Sequence, residues 1–204
     1  MPQQCKTGTA TSLGKIVVLN GFPGTGKYTI MKRARDLLPT TSMTCLLDNH
    51  LLIDPVTALI PDRSEEHHEL RRRIRAPIFE QIRKQVLEGA TILMTACLAG
   101  DNGRDAAFLS EHFDIVRGTD IPIIWVNADC DPTILEQRLE SPERCQGSRA
   151  KLTDVRVLRD LLREHHLIEP TQSADRSIRL VVKQLDVNGP VDLSASHLIS
   201  MIDY

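Results

Sequence analysis

The sequence predicts an α/β fold, a three-layer α/β/α sandwich built on a five-stranded parallel sheet. Short β-branched runs alternate with helix-length stretches whose apolar residues recur every three to four positions. Strands separated by helices imply a parallel sheet. The strand runs are continuously apolar, as strands covered on both faces are. The length of 204 residues, 41% hydrophobic and 25% charged, suits one domain with its own core.

Lys15 to Asn20 (KIVVLN) reads as the first buried strand, after a polar segment, residues 1–14, expected as a flexible tail. A glycine loop, Gly21 to Gly26, leads into a helix with Ile30, Ala34, Leu37 and Leu38 on one face, stopped at Pro39. Thr44 to Asp48 is the second strand. The stretch from Asn49 to Ser64 is mixed, with Pro55 and Pro61. Leu70, Ile74, Ile78, Ile82 and Val86 then predict a long helix over Glu65 to Glu88, which Pro77 is expected to kink or split. Thr91 to Leu98 is the third strand. A turn at Gly100 to Gly103 precedes a helix through Ala106, Leu109 and Phe113. Pro122 to Asn127 is the fourth strand, and Asp131-Pro132 opens the next helix with a cap and a first-turn proline. Glu140 to Lys151 is polar and aperiodic. Thr153 is expected to cap a helix with Val155, Leu158, Leu161 and Leu162 inward. Ile178 to Val182 begins the fifth strand, extending toward Val187, and Leu193 to Ile202 closes as a helix.

Gly21-Phe22-Pro23-Gly24-Thr25-Gly26-Lys27-Tyr28-Thr29 matches G-x-x-x-x-G-K between a strand and a helix, the context that a phosphate-binding loop requires. Glycines let backbone N–H groups turn inward as an anion nest, and the helix N-terminus adds its own unpaired N–H groups. Lys27 supplies a mobile positive charge for terminal phosphates. The full motif places Ser or Thr after the lysine as a Mg²⁺ ligand. Tyr28 stands there instead, and its phenolic oxygen is too far from Cα to substitute. Thr29 can still reach a phosphate.

With LLDNHLLIDP and RLESPER…KLTD, this loop resembles the small P-loop kinases of the nucleoside-monophosphate-kinase-like group, nearest to proteins likened to chloramphenicol phosphotransferase. The resemblance spans about Lys15 to Ile202. It implies a P-loop NTPase fold with strand order 2-3-1-4-5, ATP and Mg²⁺ as cofactors, and a small-molecule acceptor. It also implies a lid near residues 140–151, in which Arg138 stacks on adenine and Arg144 reaches the phosphates. Arg149 and Lys151 receive no separate role.

Asp48 ends the second strand, and strand ends of a parallel sheet face the ligand crevice. It is the first choice for a carboxylate that accepts an acceptor proton or organises the metal; a turn cap is the plainer reading. His50 and Asp54 could line the pocket. The third strand ends without an acid, and Asp101 lies in a turn. Arg71-Arg72-Arg73-Ile74-Arg75 follows Glu65, Glu66 and Glu69 at salt-link spacing and reads as a wet helix face, or else as a site for an anionic substrate. His67-His68 and His165-His166 read as solvated.

A net charge of −2 argues against nucleic-acid binding through bulk charge. Apolar runs are too short for a membrane span. Five scattered cysteines without C-x-x-C spacing read as buried free thiols of a reducing cytoplasm. The expected function is ATP-dependent phosphoryl transfer to a small acceptor. The competing expectation is a non-catalytic nucleotide-binding sensor or scaffold, favoured by Tyr28 and the acid missing from the third strand.

Overall fold

The structure, a computed structural model, describes residues 13–40, 43–141, 152–171 and 177–202. Five strands, β1 (Lys15–Asn20), β2 (Thr44–Leu47), β3 (Thr91–Ala96), β4 (Pro122–Asp129) and β5 (Arg179–Asp186), form one sheet in the order β2-β3-β1-β4-β5. Every pairing is parallel, with Val17 level with Leu93 on one side and Ile124 on the other. This is the expected order. The helices are α1 (Lys27–Leu37), α2 (His50–Thr57), α3 (Glu65–Leu87), α4 (Gly103–Val116), α5 (Pro132–Leu139), α6 (Val155–Glu164) and α7 (Val191–Ile202).

The central strand shows why the apolar runs are unbroken. Ile16 and Val18 point into one core with Phe79, Ile82 and Val86 of α3 and Phe108 and Ile115 of α4. Val17 and Leu19 point into the other, with Ile30, Met31 and Ala34 of α1 and Ala195, Leu198 and Ile202 of α7. Both faces are dry, so the positions between Lys15 and Asn20, Ile16 to Leu19, are all apolar. β5 lies at the sheet edge and alternates buried with exposed residues.

Three elements depart from expectation. Part of the stretch around Pro55 is helical: it forms α2 with Pro55 inside. α3 runs unbroken through Pro77. Each proline leaves one carbonyl without its helical N–H, at Leu51 and Arg73, and all four residues are exposed, so water can take the vacant acceptor. The cap of α6 is Asp154 rather than Thr153, its side chain accepting from the Arg156 N–H at 2.8 Å.

Two buried asparagines lock the strand ends that face the ligand side. Asn20 donates to the Leu98 carbonyl (3.2 Å) and to Asn127 Oδ1 (3.0 Å), and accepts from the Leu98 N–H (2.8 Å). Asn127 Oδ1 also accepts from the Trp125 indole, and its amide donates to the Ile168 carbonyl. The network fixes the exit of β1, where the phosphate loop begins.

His112 of α4 is a buried titratable group, 1% exposed. Its Nδ1–H donates to the Phe108 carbonyl at 2.8 Å, and the rings of Phe79, Phe108 and Trp125 surround it. Burial holds its pKa down to about 4, with Arg75 adding to the effect. The unfolded chain titrates near 6.5, so it binds the extra proton first, and this stabilisation is complete above about pH 6.5 and lost as pH falls toward 4. Urea denaturation should show wild-type protein losing about 2 kcal/mol more than His112→Phe between pH 7 and pH 5. Equal losses would mean that His112 titrates in the folded protein as it does in the unfolded chain.

Candidate active site at the phosphate loop

The loop between β1 and α1 is built by backbone conformation. Gly24 and Gly26 have φ of 94° and 77°, in the left-handed region that glycine enters without strain. A Cβ on Gly24 would stand 3.0 Å from the Leu135 carbonyl oxygen of α5, so the loop also packs too closely for a side chain there. Thr25 is buried and closes the turn through its hydroxyl to the Phe22 carbonyl at 2.8 Å. Gly26 begins α1 with no side-chain cap and no acid in the first turn. A helix N-terminus of this kind, with no acidic side chain in its first turn, suits an anion. Lys27 Nζ donates to the Gly21 carbonyl at 2.6 Å, the Phe22 carbonyl at 2.9 Å and Thr25 Oγ1 at 3.1 Å.

The loop opens onto a cleft of about 690 Å³ lined by Pro23, Gly24, Gly26, Lys27, Tyr28 and Thr29 on one side. Asp48, at the end of β2, lines the same cleft and is 3% exposed. Thr95 near the end of β3 donates its hydroxyl proton to Asp48 Oδ1 at 2.7 Å, while its oxygen accepts from the Asn49 N–H at 2.9 Å. A neutral hydroxyl therefore stands near the end of the third strand, which carries no acid. The acid reaching back to this region is Asp105, not Asp101: Asp105 Oδ2 accepts from the Ala99 N–H at 2.8 Å. Burial pushes the Asp105 carboxyl up, against the pull of the Ala99 N–H and Arg71. Asp101 instead pairs with His165 at 2.9 Å.

The far wall comes from α3 and α4. Arg63, Arg71, Arg72, Arg75 and Arg104 line it, with Glu65, Glu69, Asp105 and Glu111. The wet face expected of the basic run holds for Arg72 and Arg73 but not for its ends. Arg71 and Arg75 are buried, because the inward row of the first half of α3 is His67, Arg71, Arg75 and Phe79 rather than Leu70 and Ile74. Arg75 forms a two-pronged bond to Glu111, both contacts 2.8 Å, with its guanidinium carbon 4.0 Å over the Phe108 ring. His67 is buried, not solvated, and donates from Nδ1 to the Ile60 carbonyl at 2.7 Å. His68 lines the cleft, and burial, then Arg104 and Arg71, lower its pKa.

His50 lines the cleft and bonds Asp54, which does not. Arg138 lies apart from the cleft lining, its guanidinium on the Asn188 and Gly189 carbonyls and Cys130. Arg144, Arg149, Lys151 and most of the expected lid and tail lie outside the described residues. Cys97, expected buried, is exposed and lines the cleft, while Cys45 and Cys130 are half-buried. Among the described residues no three His, Cys, Asp or Glu side chains cluster as a metal site, and no helix is long and apolar enough to cross a membrane.

No protein-family model and no curated protein matches the sequence. Solved structures do match. A gluconokinase from Sinorhizobium meliloti is 13% identical, covering 93% of this chain and 91% of its own, with a TM-score of 0.56. A sugar kinase from Janibacter sp. is 14% identical over 93% and 95%, with a TM-score of 0.58. An APS kinase from Mycobacterium tuberculosis, solved with AMPPNP and APS, is 18% identical over 95% and 99%, with a TM-score of 0.55. Sheet order, phosphate loop and these likenesses agree that the chain has the P-loop kinase fold.

Proposed function

We propose that the protein is an ATP-dependent phosphotransferase acting on a small molecule. The observation that carries this reading is one cleft with two different sides. An uncapped helix N-terminus with Lys27 lies on one side, and Asp48 oriented by Thr95 on the other. The loop residues Gly21 to Thr29 would hold the triphosphate through backbone N–H groups and Lys27. Arg138 would sit at the adenine end and Arg144 at the transferring phosphate. The acceptor hydroxyl attacks the terminal phosphorus, the bond to the bridging oxygen breaks, and ADP leaves. The hydroxyl proton passes to the Asp48 carboxylate.

The donor set fits Mg²⁺. That ion takes hard oxygen ligands and is usually held by one or two carboxylates, phosphate oxygens and water. Asp48 would supply the carboxylate, held in place by the hydroxyl proton that Thr95 donates to its Oδ1. Mg²⁺ would neutralise charge on the phosphates; Tyr28 contributes no ligand in the usual position.

The second reading is a nucleotide-binding sensor or scaffold that transfers nothing. Tyr28 after the lysine and Thr95 in place of an acid on β3 favour it. A ³¹P and mass-shift screen of ATP against pooled metabolites and nucleoside monophosphates separates the two. The expected result is ADP formation with one pool gaining a phosphoryl group. Tight ATP binding with no pool phosphorylated selects the sensor.

A further inference from the structure

The wall formed by α3 and α4 contains a buried cation, Arg71, that is bonded to no carboxylate among the described residues. Three of its arginines are committed: Arg72 to Glu69 at 2.8 Å, Arg75 to Glu111 at 2.8 Å and Arg104 to Glu65 at 2.6 Å. Arg71 makes no hydrogen bond or ion pair with any described residue, and its Nε is buried without a partner. The residue is only 8% exposed and lines the cleft. The two nearby carboxylates, Asp105 and Glu111, are each bonded to another group and not to Arg71. Asp105 accepts from the Ala99 N–H, and both Glu111 oxygens accept from the Arg75 fork.

A buried guanidinium without an anion is strongly disfavoured, and arginine does not escape by deprotonating. Burial, then Arg75 and Arg63, lower Arg71 to about 10, so it remains a cation at neutral pH. Arg75, one turn further along the same face, shows what is missing. Its Nε and Nη2 donate in parallel to two carboxylate oxygens, the geometry a planar fork is made for. The stacking of Arg75 on Phe108 and its grip on Glu111 hold that neighbour away from any ligand.

We propose that Arg71 recognises an oxyanion on the phosphoryl acceptor, a carboxylate, phosphate or sulfate group, and so excludes acceptors that carry none. The inference rests on the phosphotransferase reading for the identity of the cleft. Arg71 is a binding residue. It takes no part in proton or phosphoryl transfer.

The test follows the Arg71 Nε–H resonance, assigned by its loss in Arg71→Lys. Wild-type protein is saturated with a non-hydrolysable ATP analogue, which fills the phosphate loop, and then titrated with inorganic phosphate, sulfate or acetate. The expected result is a saturable shift of that resonance. A response to phosphate or sulfate alone indicates a tetrahedral oxyanion, and a response to acetate indicates a carboxylate. No shift with any of the three, while the analogue still perturbs the loop amides, overturns the oxyanion site and leaves the kinase reading standing. A shift without any binding of the analogue supports the anion site and removes the kinase reading. With an acceptor from the screen, Arg71→Gln should raise its KM about 10- to 100-fold and leave the KM for ATP unchanged. A phosphorylated acceptor without an oxyanion, its KM unchanged in Arg71→Gln, would also overturn the proposal.

Discussion

Replacing Asp48 by Asn leaves ATP affinity near its wild-type value and lowers turnover about 10²–10⁴-fold. The two effects separate because different parts of the cleft are responsible. In the proposed binding mode ATP is held by loop N–H groups and Lys27, whose ammonium rests on the Gly21 and Phe22 carbonyls and Thr25, while the Asp48 carboxylate is oriented by Thr95. The substitution keeps an oxygen where Thr95 donates, so the 2.7 Å contact and the turn after β2 can survive. What disappears is the negative charge that, in the proposed mechanism, would accept a proton or hold Mg²⁺. Isothermal calorimetry for ATP and a coupled ADP assay measure the two sides. Turnover equal to wild type would move the base elsewhere, to Asp105 first, since it lines the same cleft.

Lys27→Ala weakens ATP binding about 10- to 100-fold and lowers phosphoryl transfer by at least about 10³-fold. A charge-assisted hydrogen bond to phosphate accounts for the first figure, and the loss of a cation at the developing charge for the second. The ammonium rests on the Gly21 and Phe22 carbonyls, so its side chain already lies against the loop that would receive the phosphates. Removing it leaves the Gly21 and Phe22 carbonyl oxygens facing a polyanionic chain of phosphates without the ammonium between them. Calorimetry on a variant with wild-type circular dichroism provides the check. Unchanged ATP affinity would remove the phosphate-loop assignment altogether.

The parts of this molecule that were legible in its sequence are those whose cause is local. β1 is apolar from Ile16 to Leu19 because both of its faces are covered there, and the loop declares itself through glycines at fixed spacing after a strand. Asp48 stood out because an acid ending an apolar run lies at the ligand edge of a parallel sheet. The acceptor wall was harder to read. Leu70 and Ile74 suggested the inward face of α3, yet the first half of that helix turns His67, Arg71 and Arg75 inward against α4. The alternative spacing, 67-71-75-79-82-86, is present in the sequence. Preferring it requires knowing that Glu111, 36 residues on, neutralises Arg75. The place of Thr95 is hidden for a similar reason. A threonine in a buried strand is unremarkable until Asp48 is found beside it.

The lock on the end of β1 also bears on how the protein ages. Asn20 and Gly21 form an Asn-Gly pair, the sequence most prone to deamidate when the following N–H attacks the side-chain amide. Here both reactants are restrained: the Gly21 N–H donates to the Ala96 carbonyl at 3.1 Å, and the Asn20 amide is held by Leu98 and Asn127. The other two such pairs, Asn102-Gly103 and Asn188-Gly189, lie on the surface. Chemical wear in the folded protein should therefore begin at those outer sites. Each passage through the unfolded state exposes Asn20, where conversion to an aspartate would bury a negative charge at the root of the phosphate loop. The folded state thus protects not only the shape of the site but the covalent identity of the residue beneath it.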